Sequence, residues 1–218
     1  MVVTSIEPVR DKKMLKIFID NSYAFSIPQN EYMKNPLQEN QEITEQEIRD
    51  IRQNILVRAA RECAVRFLYS RDRSEAEVVN KLVYKGFDRD IARDAAQGLK
   101  AIGYIDDNRY ARRYLAERMR LKAMSKKALK AELRRKGIAD EIIDEALSEY
   151  EAEDEEVALR AVRKKFGKYD IRDRKIQIKI MRFLCHRGFS AETGEKVIKY
   201  LKDGKEYYHG CSKHRSAV

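Results

Sequence analysis

Twelve basic side chains crowd into residues 108–139, against only two carboxylates, Glu117 and Glu132. They fall in two runs. NRYARRYLAERMRLK (108–122) contributes Arg109, Arg112, Arg113, Arg118, Arg120 and Lys122, and SKKALKAELRRKG (125–137) contributes Lys126, Lys127, Lys130, Arg134, Arg135 and Lys136. In the second run Ala128, Leu129 and Leu133 form the core-directed stripe, and the cations cover much of the remaining surface. Lys164 and Lys165 add to the same set further along. Cations arranged this way on amphipathic helices can track a chain of phosphates, in a contact that is salt-dependent and weak in sequence preference. Tyr110 and Tyr114 could stack bases, but their i, i+4 spacing on an amphipathic helix assigns them to the core. Residues 140–156 then carry ten acidic side chains and no basic one. Such asymmetry implies a charged partner, or neighbouring helices that pair off their faces.

Other chemistry is scarce. The chain has no Walker A loop, no Gly-rich dinucleotide loop, no G-x-S-x-G and no H-E-x-x-H, and only three histidines. An enzyme is not expected, nor a cofactor. Cys63, Cys185 and Cys211 are odd in number and scattered, which argues against a disulfide framework. The tail HGCSKH offers His209, Cys211 and His214, three ligands where structural zinc takes four, so no metal is expected either. No segment approaches the roughly 20 apolar residues of a membrane span, and the first thirty residues lack a signal pattern. A cytoplasmic, monomeric protein without a membrane partner is the expectation, with a net charge of +10.

The elements that hold these side chains repeat. LVYKGFDRDIARDAAQGL (82–99), LRRKGIADEIIDEALSEY (133–150) and LCHRGFSAETGEKVIKYL (184–201) stand at intervals of 51 residues. Leu82, Leu133 and Leu184 coincide, as do Gly86, Gly137 and Gly188, and upstream Arg58, Arg109 and Arg160. Each unit reads as three helices, near 55–70, 75–85 and 89–101, then 108–122, 126–136 and 140–151, then 156–168, 174–187 and 191–202. The glycine ending each second helix takes the left-handed position that a Cβ resists, and the next polar residue restarts the chain. Ser74 with Glu77 forms a capping box, and Ser125 caps the matching helix. Ile176 stands where a third serine would, which moves that helix start to near Asp173. Asp107 is expected to cap the first helix of the second unit, and Asp88, Asp140 and Ser190 the third helices.

Ahead of the repeats, VVTSIEPV, MLKIFID and YAFSI alternate like strands, with Asp20-Asn21-Ser22 as turn. So small a sheet is marginal alone and should pack on the helices. Thr44-x-x-Glu47 then opens the helical region. The expected fold is mainly α, with three tandem three-helix repeats forming an elongated curved array and a small N-terminal β-hairpin or three-strand extension. Its parts are the β extension 1–42, repeats at 43–107, 108–155 and 156–205, and a tail 206–218.

R-x-R-S (Arg71, Arg73, Ser74), K-L-x-x-K-G (Lys81, Leu82, Lys85, Gly86), G-Y-I-D-D (103–107) with Tyr110-Ala111, and E-L-x-x-K-G-I (132–138) together closely resemble the RecX family of bacterial recombination regulators. The likeness covers roughly 55–150, and the third repeat matches by repeat logic. It implies a modulator that lodges in the groove of the RecA–single-stranded DNA filament, suppresses ATP hydrolysis and strand exchange, and limits filament growth. Two alternatives are a stand-alone DNA-binding module, for single- or double-stranded DNA, and an interaction scaffold with no nucleic-acid role.

Overall fold

The computed structural model describes residues 1–10, 12–150 and 152–203. The tail residues His209, Cys211 and His214 lie outside them. Strands β1 (Val3–Pro8), β2 (Met14–Ile19) and β3 (Ser22–Pro28) form an antiparallel sheet in chain order. The β2–β3 turn places Asp20 and Asn21 at φ 48° and 61°, the left-handed pair that a tight two-residue hairpin requires. Val3, Met14, Ile17, Ile19, Phe25 and Ile27 are buried in one core with Ala60, Leu82 and Ile91 of the helical region, so the sheet finds the helical support its size demands.

After the short α1 (Gln29–Tyr32), Thr44 opens α2 (Glu45–Asp50) with both bonds of its capping box in place. The helix does not restart near 55. It runs on through a π-helical stretch, Ile51–Leu56, into α3 (Val57–Leu68). Then follow α4 (Glu75–Lys85), α5 (Arg89–Ala101), α6 (Asp107–Leu121), α7 (Lys126–Arg135), α8 (Asp140–Ser148), α9 (Asp154–Phe166), α10 (Arg174–Cys185) and α11 (Ala191–Lys202). The fold is mainly helical, three tandem three-helix repeats behind a small three-strand sheet. The corner glycines sit at φ 106°, 78° and 81° for Gly86, Gly137 and Gly188.

Two compact units can be told apart. One comprises residues 1–114 with 132–146, the other 115–131 with the described residues from 147 onward. The core of the first joins the sheet to Leu56, Ala60, Val78, Leu82, Ile91, Ala95 and Leu99. That of the second is built from Val157, Val162, Phe166, Ile180, Leu184, Phe189 and Val197.

Within each unit one helix start is joined to a later corner by the same chemistry. In the first, the Ser74 hydroxyl accepts from Glu77 N–H at 3.1 Å and donates to the Lys136 carbonyl at 2.6 Å. A Cβ on Gly137 would collide there with Ala76 Cβ. In the second unit, Ser125 accepts from Ala128 N–H and donates to the Gly188 carbonyl at 2.7 Å, and a Cβ on Gly188 would meet Ala128 and Ser125. Each serine is thus a cap on one face and a link on the other. The third second-helix has Ile176 at the matching position and is capped by Asp173, which accepts from Lys175 N–H. Gly86, the first corner, meets Lys12 and Met14 instead, so the sheet contributes there what an earlier helix start contributes at the other two corners.

Three capping expectations need correction, for one physical reason: the carboxylates are drawn to distant partners. Asp106, not Asp107, caps α6, accepting from Arg109 N–H at 2.9 Å. Asp107 is 7% exposed and accepts from Glu75 N–H at 2.9 Å, closing the first turn of α4. Asp154 does the same for Lys126 N–H of α7. Asp88 precedes α5 but makes no cap bond, because its carboxylate takes the Tyr23 hydroxyl and Ser26 N–H. Asp140 lies inside α8 and pairs with Arg134. Ser190, by contrast, caps α11 as expected.

Burial raises the Asp107 carboxyl above its ordinary range. Its protonated form is therefore favoured in the fold, and stability falls as pH rises from the unfolded value through the folded one. Asp107→Asn keeps an acceptor without the buried charge, and its melting point should match or exceed the parent's at pH 7 and lose that advantage under acid. Asp107→Ala strands the Glu75 N–H and should cost about 1–2 kcal/mol by urea unfolding.

Candidate nucleic-acid interface

The sequence-marked cations divide between the two units. In the first, most are engaged by carboxylates. Arg112 pairs with Glu145 at 2.9 Å, Arg113 with Asp72 at 2.8 Å, and Arg134 with both oxygens of Asp140 at 2.6 and 2.9 Å. Arg135 lies 4.0 Å from Glu132, and exposed Arg109 donates to the Gly103 carbonyl. Lys136 is half-buried, 2.8 Å from Glu77 and over the Tyr114 ring. Burial works to raise the Glu77 carboxyl, but Lys136, Ser74 N–H and Tyr110 outweigh it and hold it below the usual carboxylate range. Tyr110 is buried and stacks on Tyr114, whose hydroxyl donates to Glu132, so this pair serves packing.

Much of the acidic block is thereby accounted for internally. Asp140 and Glu145 answer arginines of the first unit. In the second, Glu153 faces Lys126 at 3.4 Å, Glu155 holds Lys196 at 2.7 Å and Glu156 stands 4.0 Å from Arg160.

In the second unit Arg118 and Lys130 are half-buried, whereas Lys122 and Lys127 are exposed. The other marked residues there, Arg120, Lys164 and Lys165, converge on a cleft of about 880 Å³. Its walls are α9 and the end of α10, closed by the α6–α7 connection, and Arg160 and Arg187 bring the cations to five against the single carboxylate Glu156. Phe183 lines it, with Lys165 Nζ 4.4 Å and the Arg187 guanidinium 4.2 Å from the ring. Arg187 is fixed by donating to the Ala123 carbonyl at 3.0 Å, and Met119, Met124 and Tyr150 supply apolar wall. Cations held beside an aromatic face in a broad cleft can bind phosphate and stack a base together.

Sequence reasoning overlooked Arg160, Phe183 and Arg187. A signal for Arg187 exists, since Lys85, Lys136 and Arg187 precede the three corner glycines at the 51-residue interval. Among the described residues, no group of three or more His, Cys, Asp or Glu side chains is placed to hold a metal ion, and no helix is long and apolar enough to cross a membrane.

Fold and cleft together define a class, the tandem three-helix-repeat proteins that present a cation-lined, aromatic-bearing surface. Models of the first, second and third three-helix domains of RecX match residues 60–97, 106–147 and 153–198. The chain belongs to the RecX family. It is 31% identical over 194 residues to the regulatory protein RecX of Clostridium beijerinckii, covering 87% of this chain and 90% of that one. It is 28% identical to the RecX of Lactobacillus johnsonii, over 92% and 74% of the two chains. A crystal structure of a regulatory protein RecX superposes with a TM-score of 0.58 at 23% identity, over 91% of this chain and 98% of that one. The RecX structure from Lactobacillus salivarius gives 0.58 at 26%, over 67% and 97%.

Proposed function

We propose that this chain regulates RecA by binding its filament on single-stranded DNA, slowing ATP hydrolysis, strand exchange and filament growth, with the Phe183 cleft as a contact to the DNA. Family membership supports the RecA partner. The observation that carries the DNA contact is the cleft's composition, five cations and the Phe183 ring against one carboxylate. Arg120, Arg160, Lys164 and Lys165 are exposed and long enough to reach phosphates, and Phe183 offers a π-face that any base can use.

DNA-dependent ATPase of RecA, measured with and without the protein, tests the reading. Near-stoichiometric protein should slow hydrolysis, and unchanged turnover refutes regulation of this kind. Arg120→Glu, Lys164→Glu and Lys165→Glu together should relieve the inhibition while leaving the melting point in place. Since each phosphate contact on a single strand contributes about 0.7 to the slope of log K against log salt, the triple variant should flatten that slope by about 2. The same cleft also favours a second reading, a module for free DNA. Titration of labelled single- and double-stranded DNA at two salt concentrations separates them: tight DNA binding that leaves RecA turnover untouched favours the module.

A further inference from the structure

The first unit carries a second cation–aromatic cleft, of about 790 Å³, formed where the β1–β2 connection lies against α3 and α4. Lys12, Lys13, Arg66, Lys81 and Lys85 line it. Its two carboxylates are already occupied. Arg58 holds Glu31 at 2.7 Å and Glu62 at 3.2 Å, and Lys34 holds Glu31 at 2.8 Å. The hydrogen bond from Lys34, outweighing the opposing effect of burial, keeps the Glu31 carboxyl ionised below its ordinary range. Among the described residues, none of the five lining cations has an ion pair. Lys81 Nζ stands 5.5 Å from both the Phe67 and Tyr84 rings, and the Arg73 guanidinium lies 4.2 Å from Phe67. Tyr84 is 72% exposed, a large aromatic face with no core to serve.

This cleft is the repeat counterpart of the one around Phe183. At twice the 51-residue interval, Ala59 matches Ala161, Glu62 matches Lys164, Cys63 matches Lys165, Lys81 matches Phe183 and Lys85 matches Arg187. Both lie in the trough between the first and second helices of a repeat. Lys12 to Met14 of the sheet close the first as Ala123 and Met124 of the α6–α7 connection close the second. The order of ring and cation is permuted, but each keeps five positive charges beside an aromatic face.

We propose that the Lys81–Tyr84 cleft is a second binding site for single-stranded nucleic acid, independent of the Phe183 cleft. The ligand class rests on the reading given under Proposed function. An acidic protein surface would be served by the cations alone, whereas an exposed tyrosine beside lysines with no ion pair among the described residues fits a chain that alternates phosphates with stackable bases. Lys12 and Lys13 supply the phosphate contacts, and Tyr84 stacks.

Binding of a labelled oligothymidylate to the full chain, followed by fluorescence anisotropy at low salt, is the test. In the Arg120→Glu, Lys164→Glu, Lys165→Glu background, salt-sensitive binding should persist. Adding Lys12→Glu and Lys13→Glu should abolish it, and adding Tyr84→Ser instead should weaken it about tenfold. These side chains are exposed, so thermal melts should coincide with the background's. If the triple substitution alone removes all binding, or if neither addition changes what remains, the second site is refuted and the Phe183 reading stands. If the parent protein binds no oligonucleotide, both readings fall. If Lys12→Glu with Lys13→Glu relieves inhibition of RecA while leaving DNA affinity unchanged, the cleft serves an acidic protein surface and the proposal is overturned.

Discussion

Gly137→Ala should destabilise the protein by about 3 kcal/mol in urea unfolding, whereas Gly103→Ala should cost only about 1 kcal/mol. Both glycines have positive φ, 78° and 77°, so a Cβ meets the same left-handed strain at each. They differ in surroundings. Nothing lies within 4 Å of a Cβ built on Gly103, but one on Gly137 falls onto Ala76 Cβ at the start of α4. That collision lies where the Ser74 hydroxyl must reach the Lys136 carbonyl, so relief by separation breaks a buried hydrogen bond. Ala76→Gly provides the check. Alone it should cost up to about 1 kcal/mol, as glycine does in a helix, but combined with Gly137→Ala it should recover about 1–2 kcal/mol. Equal losses at positions 103 and 137, or no coupling between 76 and 137, would show that the close approach carries no energy.

Ser74→Ala is the second large effect, about 2–3 kcal/mol, and Ser125→Ala should match it. An ordinary N-cap loses about 1 kcal/mol on truncation to alanine. Ser74 and Ser125 are 0% and 1% exposed, and each also donates to a carbonyl across its unit. Alanine removes a buried acceptor and a buried donor together. Ser190 is the internal control, since it caps α11 at an exposed position, and Ser190→Ala should cost about 1 kcal/mol. Thermal melts of the three variants side by side decide the matter. If Ser74→Ala loses no more than Ser190→Ala, the outward bond adds nothing.

Local chemistry made much of this legible. Glycine at a helix end, serine before a helix and a two-residue Asp-Asn turn each act within four residues, so Gly86, Gly137, Gly188, Ser74, Ser125 and the β2–β3 hairpin could be placed by type and spacing. The aspartates are less legible. Asp88, Asp107 and Asp140 precede or open helices, but their carboxylates are claimed by Tyr23, Glu75 and Arg134, and spacing along the chain does not say which distant donor will arrive. The same limit applies to the basic surface. The charge count in 108–139 points to arginines that are largely paired within the fold. Arg160 and Arg187, far apart in the chain, became visible as one cleft only once α9 and α10 were packed.

The two-faced serine also bears on how such a chain can be recombined. Ser74 and Glu75 belong to the first repeat by alignment, but the Lys136 carbonyl that completes the one comes from the second repeat, and the Asp107 carboxylate that completes the other stands at the border, as the first residue of α6. A gene crossover between homologues anywhere from 76 to 136 would therefore pair half of one parent's junction with half of the other's, even one placed in the connection 102–106, where no helix is cut. A crossover beyond 137 hands the junction on intact. The inheritable module is staggered by two helices, α6 and α7, against the repeat that the sequence displays, and chimeras joined at the visible repeat borders would be assembled from mismatched halves.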